Sequence, residues 1–131
     1  MIVVDASVVV DFLIDAGSTT RIRQAFRDYG DDLHAPGHLD LEVASALRRH
    51  VAVGALDPRR ADAAMADLAD LAVERHDLAA LMPRVWSLRE QITAYDAAYL
   101  ALAEALDAPL LTRDARLARA HGHDAVVQLL D

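Results

Sequence analysis

The sequence predicts an α/β fold built on a mostly parallel central sheet. Short β-branched or apolar runs alternate along the chain with longer segments whose apolar residues recur at helical spacing. Such alternation is typical of parallel strands joined by crossover helices. The 131 residues fit a single domain spanning 1–131, because no repeat, low-complexity tract or linker divides them.

The first half of the chain predicts two strands and four helices. A β-branched run at 2–4 ends in Asp5 and is typical of a short buried strand. Residues 33–35 predict a second strand after a turn at 30–32. Apolar residues at helical spacing predict helices, and their expected bounds are 7–14, 20–29, 38–53 and 58–71.

The second half continues the alternation. The helix expected at 93–106 has the clearest signal, because Thr93 and Asp96 resemble a capping box and the apolar residues after them keep helical spacing. The other expected elements are strands at 73–76, 109–112 and 126–130 and helices at 79–89 and 114–121.

Composition excludes several classes of chemistry. The chain has no cysteine, which excludes disulfides, thiolate nucleophiles and cysteine-ligated metals. All 13 basic residues are arginine, which excludes Schiff-base lysines and the lysine of a phosphate-binding loop. With 21 acidic residues the net charge is −8, which argues against nonspecific attraction to nucleic acid or anionic membranes.

The sequence carries no signal for targeting or membrane insertion. Its start lacks a basic segment, and no uncharged run approaches the ~20 residues of a membrane span. We therefore expect a cytoplasmic protein without a membrane partner.

Four acidic residues follow predicted strands or open predicted helices. Asp5 follows the first strand, Asp114 follows the strand at 109–112, and Glu42 and Asp96 lie in first turns of helices. Each has a structural interpretation, as a helix cap or as a favourable charge at a helix N-terminus. Glu42 fits that interpretation least, because it lies between Leu41 and Val43 beside the apolar stripe.

Together the four acids suggest a metal site. In parallel sheets ligands bind outside the carboxyl ends of the strands, where these residues would converge. Clustered carboxylates repel unless a cation compensates them, and oxygen ligands without cysteine suit Mg²⁺ or Mn²⁺. Such an ion activates water and stabilises phosphoryl transfer, so the pattern suggests phosphodiester hydrolysis.

Four motifs in order make the chain resemble a known family. They are IVVDAS at 2–7, LEVASAL at 41–47, TAYDAAYLALA at 93–103 and LTRD at 111–114. Together they are similar to the PIN-domain ribonucleases, and closely to the VapC toxins of bacterial toxin–antitoxin pairs. The resemblance covers about residues 2–130.

The resemblance implies a fold, an activity and partners. The fold would be a three-layer α/β/α PIN-like domain, and the activity that of a Mg²⁺- or Mn²⁺-dependent endoribonuclease acting as a toxin. The partners would be a cognate VapB-like antitoxin, an RNA substrate and a second copy of the chain in a homodimer. The acidic quartet would be Asp5, Glu42, Asp96 and Asp114, serving as metal ligands and catalytic groups.

Further residues near the motifs are weaker candidates. Ser7 matches a small hydroxyl residue after the first aspartate, and Thr112 stands where some family members carry another acid or hydroxyl. Arg113 and Arg116 flank Asp114 and either lie in solvent or bind RNA phosphates.

For other residues the structural interpretation is favoured. We expect Asp11 to point away from Asp5, because six residues is a little under two helical turns. His34 and His38 flank Pro36-Gly37 and are expected in a loop. The aromatic side chains of Trp86, Tyr95 and Tyr99 are expected in the core rather than as base-stacking platforms.

Two other functions remain as alternatives. A PIN-like module could bind RNA or protein without cleaving, although the intact quartet speaks against this. A receiver-like phosphotransfer domain ranks last, because it needs a lysine on a late strand and the chain has none.

Overall fold

A computed structural model describes residues 1–14 and 19–130. Within them, five strands form one sheet in the order β3-β2-β1-β4-β5, and every pairing is parallel. The α/β prediction with a parallel sheet is confirmed. The strands are β1 (Ile2–Val4), β2 (Leu33–Pro36), β3 (Val73–His76), β4 (Leu110–Thr112) and β5 (Val127–Leu129).

Helices cover both faces of the sheet. The connections from β1 through β2 to β3 run in one direction across the sheet, and those from β3 through β4 to β5 run back. Right-handed crossovers therefore place the two sets of helices on opposite faces, which gives the expected three layers. The first set is α1 (Ala6–Ile14), α2 (Thr19–Tyr29), α3 (Leu39–Ala52) and α4 (Pro58–Asp70). The second set is α5 (Met82–Ser87), α6 (Ala94–Leu106) and α7 (Ala115–Ala118).

Burial explains why these segments form their elements. All three residues of β1 are buried, as in a central parallel strand. In α3 the buried residues Leu39, Val43 and Leu47 recur every four positions, so one stripe faces the core. The segment 97–103 of α6 is buried throughout, and its alanines allow close packing on β1 and β2.

Two predicted helices are shorter than expected. The segment at 79–89 divides into a 3₁₀ turn at Ala79–Leu81 and the short α5, because Pro83 lacks an amide hydrogen and suits the start of a helix. The segment at 114–121 forms a helix only at Ala115–Ala118, where Leu117 is its buried residue.

Some placements differ from the sequence predictions. His34 does not lie in a loop: it is a buried residue of β2, between Val3 of β1 and Glu74 of β3. Trp86 and Tyr95 are not in the core, since each is 66% exposed, whereas Tyr99 is buried as expected. No helix of the described segments is long and apolar enough to span a membrane.

Candidate active site

The candidate site lies at the carboxyl ends of β1, the central strand of the sheet, and of its neighbour β4. β1 pairs with β4 through Val4 and Leu111, so both strands end at the same edge. The chain leaves β1 into α1 on one face and leaves β4 into α7 on the other. This topological switch leaves a crevice between the two connections, as in other open α/β sheets.

All four predicted acids line one pocket of about 440 Å³ at this edge. They come from four separate places in the chain: Asp5 after β1, Glu42 on α3, Asp96 on α6 and Asp114 before α7. Folding therefore brings together side chains that are separated by tens of residues. The remaining lining residues include Ser7, Asp11, Arg49, His50, Tyr99, Arg113 and Arg116.

Asp5 is buried and held by neutral donors. One carboxylate oxygen accepts from the Ser7 hydroxyl at 2.6 Å and from the Val8 amide at 3.2 Å, and the other accepts from the Thr112 hydroxyl. Burial raises the pKa of Asp5 to about 6, against the opposing effect of these hydrogen bonds, and the nearby Asp114 charge adds to the rise. The ionised form of Asp5 thus lacks a compensating positive charge.

Glu42 is half-buried and fixed by two side chains. The Tyr99 hydroxyl donates to Glu42 Oε1 at 2.7 Å, and His38 Nε2 lies 3.3 Å from the same oxygen. Burial alone would raise the pKa of Glu42, but the hydrogen bonds from His38 and Tyr99 outweigh burial and lower it. Glu42 is therefore held ionised and in one orientation.

Asp96 and Asp114 complete the acidic lining. Asp96 follows the helix cap Thr93, whose hydroxyl accepts the Asp96 amide at 3.3 Å. Burial raises the pKa of Asp96, and the charges of Asp114 and Glu42 raise it further. Asp114 caps α7 by accepting the Arg116 amide at 2.9 Å. Thr93 and Asp114 therefore cap their helices as expected, and Asp114 also lines the pocket.

The hydroxyls of Ser7 and Thr112 connect the two central strands at the site. Each donates to Asp5; Ser7 Oγ also accepts the Arg113 amide at 3.0 Å, and Thr112 Oγ1 accepts the Asp114 amide at 2.9 Å. Both hydroxyls thus link Asp5 to the loop that carries Asp114. Their geometry fits side chains that position a carboxylate.

The two arginines beside Asp114 differ in their surroundings. Arg113 forms an ion pair with Asp11 across the pocket, whereas Arg116 contacts Asp114 at 3.4 Å with its side chain 82% exposed. The expectation that Asp11 points away from the site is wrong. Asp11 lies four residues after Ser7, and this helical spacing places both side chains on the pocket side of α1.

Sequence reasoning missed several residues that line or support the pocket. Tyr99, treated only as a core residue, lies three positions after Asp96, so both reach the same face of α6. His38, treated as a loop residue, lies four positions before Glu42 and donates from Nε2 to the Tyr95 carbonyl at 2.9 Å. Arg49 and His50 share a face of α3 with Glu42. Helical spacing from the predicted acids would have found all four.

A larger cavity of about 670 Å³ lies at the amino ends of β4 and β5, at the opposite end of the strands from the candidate site. Three acids line it, and one of them, Glu104, accepts hydrogen bonds from Arg84 Nε at 2.8 Å and Nη2 at 2.9 Å. None of the four predicted acids lines this cavity. A choice of site by cavity volume would therefore miss all four predicted acids.

The donor set of the smaller pocket fits a hard divalent cation. Its carboxylates supply oxygen ligands, and two of them, Asp5 and Asp96, have raised pKa values because their negative charges are buried close to other acids. A divalent cation would remove this repulsion and favour the ionised forms.

Comparisons with known proteins agree with the geometry. A family model described as PIN domain matches residues 2–122. Ribonuclease VapC3 of Mycobacterium tuberculosis is 44% identical over 122 residues, covering 91% of this chain and 86% of the relative. Ribonuclease VapC12 of the same organism is 36% identical over 130 residues, covering 99% of each chain.

A solved structure supports the fold. VapBC2 from Rickettsia felis, determined with a DNA fragment of its promoter, aligns over all of both chains with a TM-score of 0.72 at 13% identity. From the family match and the two relatives, the chain belongs to the PIN-domain family and is a VapC-type member of it.

Proposed function

We propose that this protein is a metal-dependent endoribonuclease that acts as the toxin of a toxin–antitoxin pair. One observation carries the proposal: four carboxylates from separate elements line one pocket at the sheet edge of a PIN-domain chain. The relatives VapC3 and VapC12 are named ribonucleases, which supports RNA as the substrate. The alternative of a non-cleaving module lacks a comparable observation.

Asp5, Glu42, Asp96 and Asp114 would hold Mg²⁺, or Mn²⁺ in its place. When bound, the ion supplies an activated water and stabilises the charge that develops on the phosphate. The chain's own contribution is orientation. Ser7 and Thr112 fix both oxygens of Asp5, and Tyr99 fixes Glu42. These contacts hold the ligands in place before substrate arrives.

Arginines at the rim would bind the RNA backbone. Arg116 suits this role best, because its guanidinium is largely exposed beside the acids. Arg113 is less available, since it is paired with Asp11, and its role would be to keep the loop before α7 in place. A planar guanidinium matches a phosphate through two parallel hydrogen bonds.

Family membership supports further proposals about organisation. The whole chain would act as one PIN domain, as a homodimer, with a VapB-like antitoxin as its cognate inhibitor. RNA cleavage by a toxin of this kind would take place in the cytoplasm.

Cleavage of RNA by the purified protein tests the proposal. We expect cleavage with Mg²⁺ or Mn²⁺, none with EDTA, and a loss of at least about 100-fold in Asp5→Asn and Asp96→Asn. Glu104→Gln is the matched control, because it neutralises a partly buried acid outside the pocket and leaves cleavage unchanged.

Undiminished cleavage in EDTA, or in both aspartate variants, would overturn the mechanism. If antitoxin-free protein binds metal and RNA but never cleaves, the non-cleaving module replaces the proposal.

A further inference from the structure

A second group of potential metal ligands lies on β2 and β3. His34 and Glu74 are directly paired across the two parallel strands, and His76 lies two residues after Glu74. Because side chains alternate along a strand, all three project from the same face of the sheet. Their ligand atoms lie within 4.8 Å of one another.

The two histidine rings are in direct contact. His34 Nδ1 lies 2.9 Å from His76 Nε2 and 3.5 Å from a carboxylate oxygen of Glu74. On its other side, His34 Nε2 lies 2.8 Å from Asp32 Oδ1.

The contact with Asp32 determines which tautomer a neutral His34 ring adopts. Since a carboxylate only accepts, Nε2 carries the proton and donates it to Asp32, so the lone pair is on Nδ1. That lone pair is directed at His76 Nε2 and Glu74, in a ring whose side chain is 9% exposed. The Nδ1 lone pair of His34 thus faces a second imidazole and a carboxylate, which is the arrangement of donor atoms that a metal ion needs.

We propose that His34, Glu74 and His76 bind a zinc ion. Two ligands of tetrahedral zinc are about 3.3 Å apart when each lies about 2.0–2.1 Å from the ion. The 2.9 Å and 3.5 Å separations from His34 bracket that value, and all three ligand atoms lie within 4.8 Å of one another, so side-chain movement of His76 and Glu74 would admit the ion. Imidazole nitrogen suits zinc and not magnesium, which distinguishes this site from the carboxylate pocket.

Asp32 supports the assignment as an outer partner. Histidine ligands of zinc donate their other N–H to a carboxylate, which fixes the ring and raises its basicity as a ligand. Asp32 makes this contact with His34, and its second oxygen is fixed by the Met1 amino group at 2.8 Å. Three protein ligands leave one tetrahedral position for water, on the side where Glu74 is exposed.

The proposed site is separate from the carboxylate pocket in position and effect. None of its three residues lines that pocket. A zinc ion would join β2 to β3, the strand at the edge of the sheet, and cross-link two strands that are otherwise held by backbone hydrogen bonds. Bound zinc would stabilise the pairing of β2 with β3 and would leave RNA cleavage unchanged.

Zinc titration of the purified protein against a chromophoric chelator tests the proposal. The protein carries Asp5→Asn and Asp96→Asn, and millimolar Mg²⁺ is present, so the carboxylate pocket does not contribute. We expect one zinc ion per chain and a higher melting temperature with zinc. We expect Asp32→Asn to weaken binding about 10- to 100-fold, and His76→Gln to weaken it at least as much.

His121→Gln is the matched control, because it removes an exposed histidine elsewhere in the chain and leaves zinc affinity unchanged. Circular dichroism without metal checks that each variant is folded. Co²⁺ as a probe adds a spectroscopic criterion: the visible absorption of a tetrahedral complex, which His76→Gln abolishes. No zinc binding at near-neutral pH, or binding that His76→Gln and Glu74→Gln leave intact, overturns the proposal.

Discussion

Two acids at opposite ends of the sheet, Glu104 and Asp5, are stabilised in opposite ways. Near the starts of β4 and β5, Glu104 accepts two hydrogen bonds from Arg84 and one from the Asp124 amide at 2.7 Å. The hydrogen bonds from Arg84 hold the pKa of Glu104 below its usual range. At the other end, Asp5 is more deeply buried but receives neutral donors, and burial raises its pKa to about 6.

The difference separates an acid that has its counter-charge within the chain from acids that an external cation would stabilise. Glu104 has its counter-charge within the chain, because Arg84 pairs with it. The hydrogen bonds of Asp5 come from neutral groups, so they orient this carboxylate without neutralising it. At Asp96 the Arg116 charge lowers the pKa, but burial and the charges of nearby acids outweigh it. A protein that keeps this arrangement gives up stability, and the divalent ion proposed above would offset that cost by compensating the carboxylate charges.

The largest effect tests whether neutral donors at the carboxylate pocket orient a metal ligand. Tyr99→Phe removes the hydroxyl bonded to Glu42 and keeps the buried ring. We expect Mn²⁺ affinity and RNA cleavage to fall about 10- to 100-fold, because outer contacts of this kind set ligand orientation. Isothermal titration and cleavage assays measure both.

Tyr95→Phe is the matched control, since Tyr95 lies on the same helix with its ring 66% exposed, and we expect no change. Unaltered metal affinity in Tyr99→Phe would show that the hydroxyl serves packing alone.

Much of this arrangement follows from sequence. Alternating apolar runs predict the parallel sheet, and the four acids are recognisable because each follows a strand or opens a helix. The pattern is local, so it identifies Thr93 as a helix cap and Asp5 as the residue that follows β1. The family resemblance supplies the expectation that these distant motifs meet.

Contacts between distant segments could not be read from local patterns. The local pattern at 33–35 predicts a strand, although Pro36-Gly37 favours a loop at His34; the burial of His34 follows from its pairing with β1 and β3. The large apolar ring of Trp86 is typical of a core residue, but the short α5 leaves it exposed. Arg89 stacks on this ring at 4.8 Å from its centroid. The pairing of Asp11 with Arg113 joins segments that are 102 residues apart.

A smaller effect tests the ion pair of Arg84 with Glu104. Arg84→Met removes the cation from Glu104, and we expect a loss of about 1–2 kcal/mol in the free energy of unfolding, reduced because Arg84 is partly exposed. RNA cleavage per folded molecule should not change. Arg89→Met, which removes an arginine that stacks on exposed Trp86, is the control and should cost less.

The pH dependence of the free energy of unfolding makes the test of Arg84→Met more specific. The pKa of Glu104 is lower in the folded protein, so the folded state binds fewer protons near that pKa than the unfolded chain. The stability contributed by the pair is present above the unfolded pKa of about 4.3 and is lost as pH falls through the folded value. The difference between the native sequence and Arg84→Met in urea denaturation should therefore narrow in acid. A difference that stays constant would mean that Arg84 acts through packing.

The smallest effect has the opposite sign and tests the charge at Asp5. The folded pKa of about 6 exceeds the ordinary value of 3.8, so the folded state binds the proton more tightly, and stability falls as pH rises from about 4 through 6. Asp5→Asn removes the buried charge. In metal-free protein near pH 7.5 we expect the variant to be about 1 kcal/mol more stable, less than the full shift of ~3 kcal/mol, because the amide nitrogen cannot accept from Ser7 or Thr112 as the carboxylate oxygens do.

Chemical denaturation at two pH values and with Mn²⁺ measures this effect. The advantage of Asp5→Asn should vanish near pH 4, where Asp5 of the native sequence is protonated, and should reverse at neutral pH with saturating Mn²⁺, which stabilises the native sequence by binding its folded form. Glu104→Gln should have the opposite effect in metal-free protein near pH 7.5, where it removes an acid that already has its cation and so destabilises the fold. Mn²⁺ should stabilise Glu104→Gln and the native sequence equally, because Glu104 lies outside the carboxylate pocket. If Asp5→Asn destabilises the metal-free protein as Glu104→Gln does, Asp5 is a structural acid, and the contrast between the two ends of the sheet does not hold.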